Sequence, residues 1–519
     1  MNASRYVLGT DIGTTGTKTV LFDLAGTVVS KASSEYPLLS PTPDTAEQDP
    51  DEIFQAVLRT IQQVMQTSGI APTAVICLSF SAAMHSLIGV DAAGKPLTRS
   101  ITWADNRSAA WAEKIKHNFE GHAIYRRTGT PIHPMSPFVK LVWLRQEQPD
   151  LFQQVVRWIS IKEYVIYQLF QQYVVDHSIA SATGLLNLEQ LNWDETALEV
   201  AGIQPDRLST LVPTTHVLRS MSADFASFIG LDPDTPVVVG ASDGVLSNLG
   251  VAAIKPGIVA TTIGTSGAIR AVVDRPITDP QGRLFCYALT ETQWVVGGAV
   301  NNGGIALRWV RDQFADAEVM AAKRLGIDPY ELMMQMAATV SPGSAGLIFH
   351  PYLLGERSPL WDAQARGSFI GLTLNHTKAH LVRSVLEGIL LNLRIVLQAL
   401  QDFTGPAQRI QATGGFARSL LWRQMMADVF HQEITIPAQH ESSCLGAAIL
   451  GLYAMQAIDS LDVVTQMIGE THRHQPIAEN AAIYETIFPV YVHLLDRIRT
   501  EYEEIAQLQQ QLAEKTGGK

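Results

Sequence analysis

Asp11 and Lys18 bracket a turn of glycines and threonines in VLGTDIGTTGTKTV (7–20), a combination suited to phosphate. Backbone N–H groups of such a turn, with the hydroxyls of Thr14 and Thr15, can hydrogen-bond phosphate oxygens. A carboxylate such as Asp11 can hold the hydrated Mg2+ that neutralises a polyphosphate, and Lys18 adds a point charge. The turn is not a Walker A loop, because Thr17 separates Gly16 from Lys18 and the chain continues as strand-like KTVLF. The same continuation excludes a dinucleotide-binding GxGxxG, which must open a helix. On these residues alone, a purely structural hairpin remains an alternative.

A second carboxylate, Asp243, follows the β-branched run in VVVGASDGVLSN and is flanked by small residues, with Gly240 and Gly244 nearby. There a substrate can approach the carboxylate closely. The same aspartate could cap the helix DGVLSNLG, and the two roles are compatible. Further glycine pairs stand in VVGGAVNNGGIALRWVRD, which holds Gly304 and Arg308, and in IQATGGFARSLLWRQMMADVF, which holds Gly414, Gly415 and Ser419. Each pair serves equally well as a tight turn or as a place where a ligand meets backbone.

The elements that must position these groups read as mixed α/β. RYVLGTDIG, TKTVLFDLAG and TVVSKASSEYPL alternate as three strands, with turns at Gly13–Gly16 and Ala25–Gly26. A helix is predicted over DPDEIFQAVLRTIQQVMQTSG, capped by Asp49, started by Pro50 and ended by Gly69, before the buried strand AVICLSF. GIVATTIGTSGAIRAVVD (257–274) repeats the opening: Ile263-Gly264-Thr265-Ser266-Gly267 matches Ile12-Gly13-Thr14-Thr15-Gly16. The repeat, half a chain away, predicts two similar domains, 1–250 and 251–519. The closing DRIRTEYEEIAQLQQQLAEKTGGK predicts a charged helix that packs weakly and frays at its last residues.

Composition bounds the partners. The 519 residues are 46% hydrophobic and 17% charged, at a mean hydropathy of +0.09, as in a soluble globular enzyme. A formal charge of -12 disfavours nucleic acid or an anionic membrane surface as a bulk partner. Cys77, Cys286 and Cys444 are scattered, without metal or disulfide spacing. With no signal-like opening and no long uncharged apolar run, a cytoplasmic location is expected.

The two-hairpin layout resembles the actin-like, ribonuclease-H-like ATPases. MSPFVKLVWLRQE (135–147), GSFIGLTLNHTKAHLVRSVLE (367–387), GASDG and ATGGFARS occur in the order of the FGGY carbohydrate kinases, and the resemblance spans nearly the whole chain. It implies an α/β fold of two actin-like domains facing a central cleft, with ATP and Mg2+. It makes Asp243 the general base and Asp11 the metal residue. It assigns Thr14, Thr15, Lys18, Thr265, Gly304, Arg308, Gly414, Gly415 and Ser419 to ATP. The two long signature segments are amphipathic helices whose apolar spacing is core packing, so they carry no catalytic expectation.

Acceptor choice is expected from the first domain. Met84 and His85 occupy the slot where glycerol-specific relatives carry Arg–Glu, which makes glycerol a poor fit. ITWADNRS, GASDGVLSN, VNNGGIALRWVRD and YLLGERSPLW most resemble the members that act on gluconate, with xylulose the runner-up. An open-chain sugar acid calls for a cation, for which Arg107 is the first expectation, with His85 and Lys162 behind it. Trp103 is expected to stack on the polyol. The partners are therefore ATP and a small sugar acid, without nucleic acid or membrane, and a homodimer is compatible with the sequence. From other classes, a non-catalytic carbohydrate sensor would need no base at Asp243, and an actin-like assembly protein would need an insertion that is not seen.

Overall fold

The computed structural model describes residues 5–438, 441–469 and 471–515. Strands β1 (Tyr6–Ile12), β2 (Gly16–Asp23) and β3 (Val28–Glu35) precede helix α1 (Pro50–Ser68) and β4 (Val75–Ala82). Next come α2 (Pro137–Glu147), α3 (Ile161–Phe170), β5 (Val174–Asp176) and the short α4 (His177–Ser181). They lead to β6 (Val217–Leu218), β7 (Val237–Ser242) and α5 (Asp243–Gly250). β8 (Ile258–Ile263), β9 (Gly267–Val273), β10 (Phe285–Ala288) and α6 (Gly304–Phe314) follow. The last group is α7 (Lys378–Thr404), β11 (Arg409–Thr413), α8 (Leu420–Phe430), β12 (Ile434–Pro437), α9 (Ser442–Ala454), β13 (Thr471–His474), α10 (Ala478–Ile498) and α11 (Tyr502–Lys515).

Contacts divide the described residues into two units: 5–256 with 271–296 and 441–469, and 257–270 with 297–438 and 471–515. Thus β10 and α9 return to the first unit from later in the chain. The first unit holds a six-stranded sheet ordered β6-β7-β4-β1-β2-β3. β1, β4 and β7 are parallel neighbours, while β2 and β3 pair antiparallel. α1 covers this sheet. Asp49 accepts the N–H groups of Asp51 and Glu52, and Gly69 closes the helix at φ 63. Ile53, Val57, Ile61 and Val64 recur at helical spacing and are buried.

α9 packs against β1 and α5, and glycine makes the approach possible. A Cβ at Gly9 would lie 2.1 Å from the Cys444 carbonyl oxygen. One at Gly446 would lie 2.0 Å from that of Leu246, so neither position admits a side chain without backbone movement.

In the second unit the strand order runs β9-β8-β11-β12-β13. β8, β11 and β12 are parallel and β13 closes antiparallel. The internal repeat is visible in the register. Asp11 pairs with Ser81 across β1 and β4, and Thr262 pairs with Thr413 across β8 and β11.

The charged C-terminal segment differs from its expected weak packing. Tyr502 is buried at the start of α11, edge-on to Tyr352 at 6.3 Å between ring centroids. The last four residues lie outside the described residues. Among the described residues, no helix is long and apolar enough to cross a membrane.

Candidate active site

In the first unit, β1 ends at the glycine–threonine turn and carries Asp11 just before it. The Ser81 hydroxyl on β4 donates to Asp11 Oδ1 at 2.6 Å. Burial, with the charge of Asp243 adding to it, pushes the Asp11 carboxyl up to about 6, while Ser81 and Lys18 pull it down. Asp243 is the first residue of α5, and its Oδ1 accepts the Gly244 N–H at 2.7 Å. The capping position that the sequence offers Asp243 belongs to Ser242 instead.

The turn itself is held from outside. The Gly13 N–H donates to the Gly16 carbonyl at 3.1 Å, and the Tyr36 hydroxyl donates to the Gly13 carbonyl at 2.6 Å. Thr14 Oγ1 accepts the Trp103 indole N–H at 3.0 Å, and its carbonyl accepts the Gln48 amide at 2.7 Å. Thr15 is exposed at the tip. Lys18 lies 2.8 Å from Glu441, which also receives Lys31 at 3.1 Å. One carboxylate thus serves two ammonium groups.

The acceptor-side residues gather around α4. His85 has φ 68, a left-handed conformation rare for a residue with a side chain. Its Nδ1 donates to the Ala182 carbonyl at 2.7 Å, and Nε2 lies 3.4 Å from the Tyr287 hydroxyl. Met84 packs on the apolar cluster of Val175, Ile179, Ala180 and Leu186. Lys140, fully buried on α2, donates to three carbonyls: His85 at 2.9 Å, Thr102 at 2.7 Å and Met135 at 2.7 Å. All three N–H bonds of the ammonium are used: two on the loops that carry Met84 with His85 and Trp103, the third on the turn that leads into α2.

Two expected cations are differently placed. Arg107 Nε meets both oxygens of Asp105 at 3.1 and 3.0 Å, and its terminal nitrogen meets Glu47 at 2.5 Å. Its other face lies 4.8 Å from the Trp143 ring centroid. Lys162 is 1% exposed and pairs with Asp176 at 2.6 Å, so it is a buried counter-ion. Trp103, expected to stack on the polyol, spends its N–H on the phosphate-type turn.

In the second unit, the β8–β9 turn is where the other named residues meet. The Gly304 N–H donates to the Gly264 carbonyl at 2.7 Å, and the Ile305 N–H to the Thr265 carbonyl at 3.0 Å. A Cβ on Gly304 would lie 2.7 Å from that Gly264 oxygen. Gly414, at φ 107, sits against Ile263, where a Cβ would come within 2.2 Å of the carbonyl. Thr265, Gly304, Gly414 and the exposed Gly415 thus surround one turn. Arg308 is exposed one helical turn into α6, and Ser419 caps α8 by accepting the Trp422 N–H at 3.2 Å.

Several participants carry no local signal. Glu356 is buried behind the turn, accepting the Asn301 and Arg357 N–H groups at 2.5 and 2.9 Å and the amides of Asn302 and Asn392 at 3.3 and 2.9 Å. It fixes the loop that enters α6. Tyr36, Ser81, Glu441 and Tyr287 likewise acquire partners only through the fold. The doubled asparagine of VNNGG and the lone glutamate of YLLGERSPLW were the available hints for Glu356.

Comparison with known proteins bears on this arrangement directly. Residues 6–250 match the N-terminal domain, and residues 259–455 the C-terminal domain, of the FGGY family of carbohydrate kinases. The chain belongs to this family. It is a kinase that uses ATP as phosphoryl donor, and its α/β units have the actin-like fold of that family. The kinase is 55% identical over 508 residues to "Gluconokinase" of Bacillus subtilis (strain 168), covering 98% of this chain and 99% of that one. A crystal structure of gluconate kinase from Lactobacillus acidophilus superposes with a TM-score of 0.91 at 38% identity, covering 97% of this chain and all of that one. A ligand-bound xylulose kinase structure from the same organism gives 0.90 at 38%, covering 96% and 100%.

Proposed function

We propose that this kinase transfers the γ-phosphoryl group of ATP to the 6-hydroxyl of D-gluconate, giving 6-phospho-D-gluconate and ADP. The observation that carries this reading is the 55% identity to a gluconokinase across essentially the full length of both chains. Asp243 takes the proton of the acceptor hydroxyl as its oxygen attacks the γ-phosphorus and the bond to the bridging oxygen of ADP breaks. The hydroxyls of Thr14 and Thr15 in the first unit, and of Thr265 in the second, supply donors to phosphate oxygens.

Asp11 suits Mg2+. No group of three or more His, Cys, Asp or Glu forms a metal cage among the described residues, and Mg2+ is commonly held by one or two carboxylates with its own waters. Bound at Asp11, the ion would neutralise charge on the phosphate oxygens. The repulsion between Asp11 and Asp243 supports a cation nearby. Met84 and His85 contact the acceptor, while Arg107 orders segment 102–108 through Glu47 and Asp105 rather than meeting the sugar carboxylate.

Xylulose is the second reading, favoured by the equal identity to the xylulose kinase structure. ADP release is to be measured with gluconate, xylulose, ribulose and glycerol, on wild type and Asp243→Asn. Gluconate turnover reduced about 10²–10⁴-fold in the variant is expected. Turnover of xylulose without gluconate overturns the substrate, and undiminished turnover in the variant removes Asp243 as base.

A further inference from the structure

The five residues of α4 touch more of the first unit's candidate machinery than their length suggests. Ahead of the helix, Asp176 Oδ1 accepts the Ile179 N–H at 3.0 Å, while its Oδ2 is gripped by the buried Lys162 at 2.6 Å. Ser178, fully buried, accepts the Ser242 N–H at 3.1 Å and donates to Ser242 Oγ at 3.1 Å. Ser242 is the residue immediately before Asp243. At the far end, the Ala182 carbonyl holds the His85 ring, and Ser181 Oγ accepts the Ala288 N–H at 3.1 Å. That last bond anchors β10, whose Tyr287 hydroxyl faces His85.

We propose that α4 is a coupling element in which Ser178 positions the Ser242–Asp243 junction while Ala182 and Ser181 position His85 and β10. The base and the acceptor-binding side chains are thereby set by one rigid piece. Lys162 and Asp176 pin that piece from beneath, so the lysine acts as an anchor rather than a ligand. This inference rests on Asp243 being the base and His85 touching the acceptor. Ser178 is a positioning residue: it acts through Ser242 and reaches no substrate.

The arrangement has a kinetic signature. Removing the Ser178 hydroxyl frees the junction before Asp243 and leaves the second unit untouched. A displacement of the base by a fraction of an ångström lowers turnover without comparable loss of binding. Ser178→Ala is expected to lower kcat about tenfold or more, with KM for ATP and for the acceptor within about twofold of wild type. Coupling across α4 further predicts that Ser178→Ala and Tyr287→Phe combine non-additively in kcat/KM.

The test measures kcat, both KM values and thermal unfolding for Ser178→Ala, Tyr287→Phe and the double variant. It uses whichever acceptor the wild type turns over best, so failure of the gluconate reading shows in the wild type and leaves α4 still tested. If Asp243→Asn retains full turnover, the reading beneath the inference fails and the inference falls with it. An unchanged kcat in Ser178→Ala, or strict additivity in the cycle, overturns the coupling. Should Ser178→Ala not fold, Ser242→Ala removes only the hydroxyl contact and keeps the N–H bond. It is expected to give the same split at smaller amplitude, and an unchanged kcat there is equally decisive against it.

Discussion

Lys140→Met isolates the knot beneath the acceptor loops. Methionine keeps the length of the side chain and removes every donor. Three buried carbonyls, of His85, Thr102 and Met135, then lose the ammonium. At about 1–3 kcal/mol for each orphaned group, the loss is roughly 3–9 kcal/mol. Relief from burying a charge returns several kcal/mol of this, for a net destabilisation of about 1–4 kcal/mol. The functional effect should be larger, because two of the three carbonyls belong to the separate segments that carry Met84 with His85 and Trp103. We expect acceptor KM to rise about tenfold or more with KM for ATP unchanged, read by ADP release beside denaturant unfolding.

The same knot predicts a pH response. Burial pushes the Lys140 ammonium down to about 7, with Asp105 holding it up and Arg107 pressing it further down. Above that pH the amine keeps two N–H bonds for three carbonyls, so wild-type acceptor KM should climb while that of Lys140→Met stays flat. The folded chain releases this proton before the unfolded chain does. The group's contribution to stability is therefore greatest at high pH, declines from the ordinary lysine value down to about 7, and is level below. An acceptor KM within twofold of wild type and no pH difference between the two proteins would refute the reasoning.

Arg107→Ala should reduce turnover of gluconate and of xylulose by similar factors, since the guanidinium serves Asp105 and Glu47. A selective rise in KM for the sugar acid would show that it meets the carboxylate. Burial raises the Glu356 carboxyl to about 7 despite its donors. Its folded pKa lies above the unfolded value, so its contribution is present below about 4.5 and is lost as pH rises through 7. A shift of this size is worth about 3 kcal/mol. Comparing unfolding free energies of wild type and Glu356→Gln at the two ends of that range should recover a difference of this order, and a pH-independent difference would remove it.

Local structure was legible because its causes are local. The alternation and turn residues of 5–39 specify the first hairpin, and Asp49, Pro50 and Gly69 specify both ends of α1. The paired turns at Gly13–Gly16 and Gly264–Gly267 announced the duplicated hairpin, and the register of Asp11 with Ser81 and of Thr262 with Thr413 repeats it strand for strand. Charge partners were not legible. Lys18 finds Glu441 across 423 positions of sequence, and nothing near either residue names the other. Lys162 looked like an open cation for the same reason, its partner Asp176 being brought to it by the fold, whereas Asp105 stands two residues from Arg107 and only Glu47 is added by topology. His85 at φ 68 shows the reverse case, a backbone conformation imposed by surrounding hydrogen bonds against the residue's own preference.

The way β10 and α9 return to the first unit has a consequence for synthesis. A nascent chain that has emerged only as far as residue 250 lacks the helix that covers Gly9 and Gly446's partner Leu246, and lacks the strand that faces His85. Its central sheet would leave the ribosome with an apolar flank uncovered until some two hundred further residues had been made. β8, β9, β11 and β12 are all made in that interval, before α9. The close glycine contacts of α9 therefore act as a late latch, and a chain cut after residue 250 is expected to be insoluble rather than a free-standing domain.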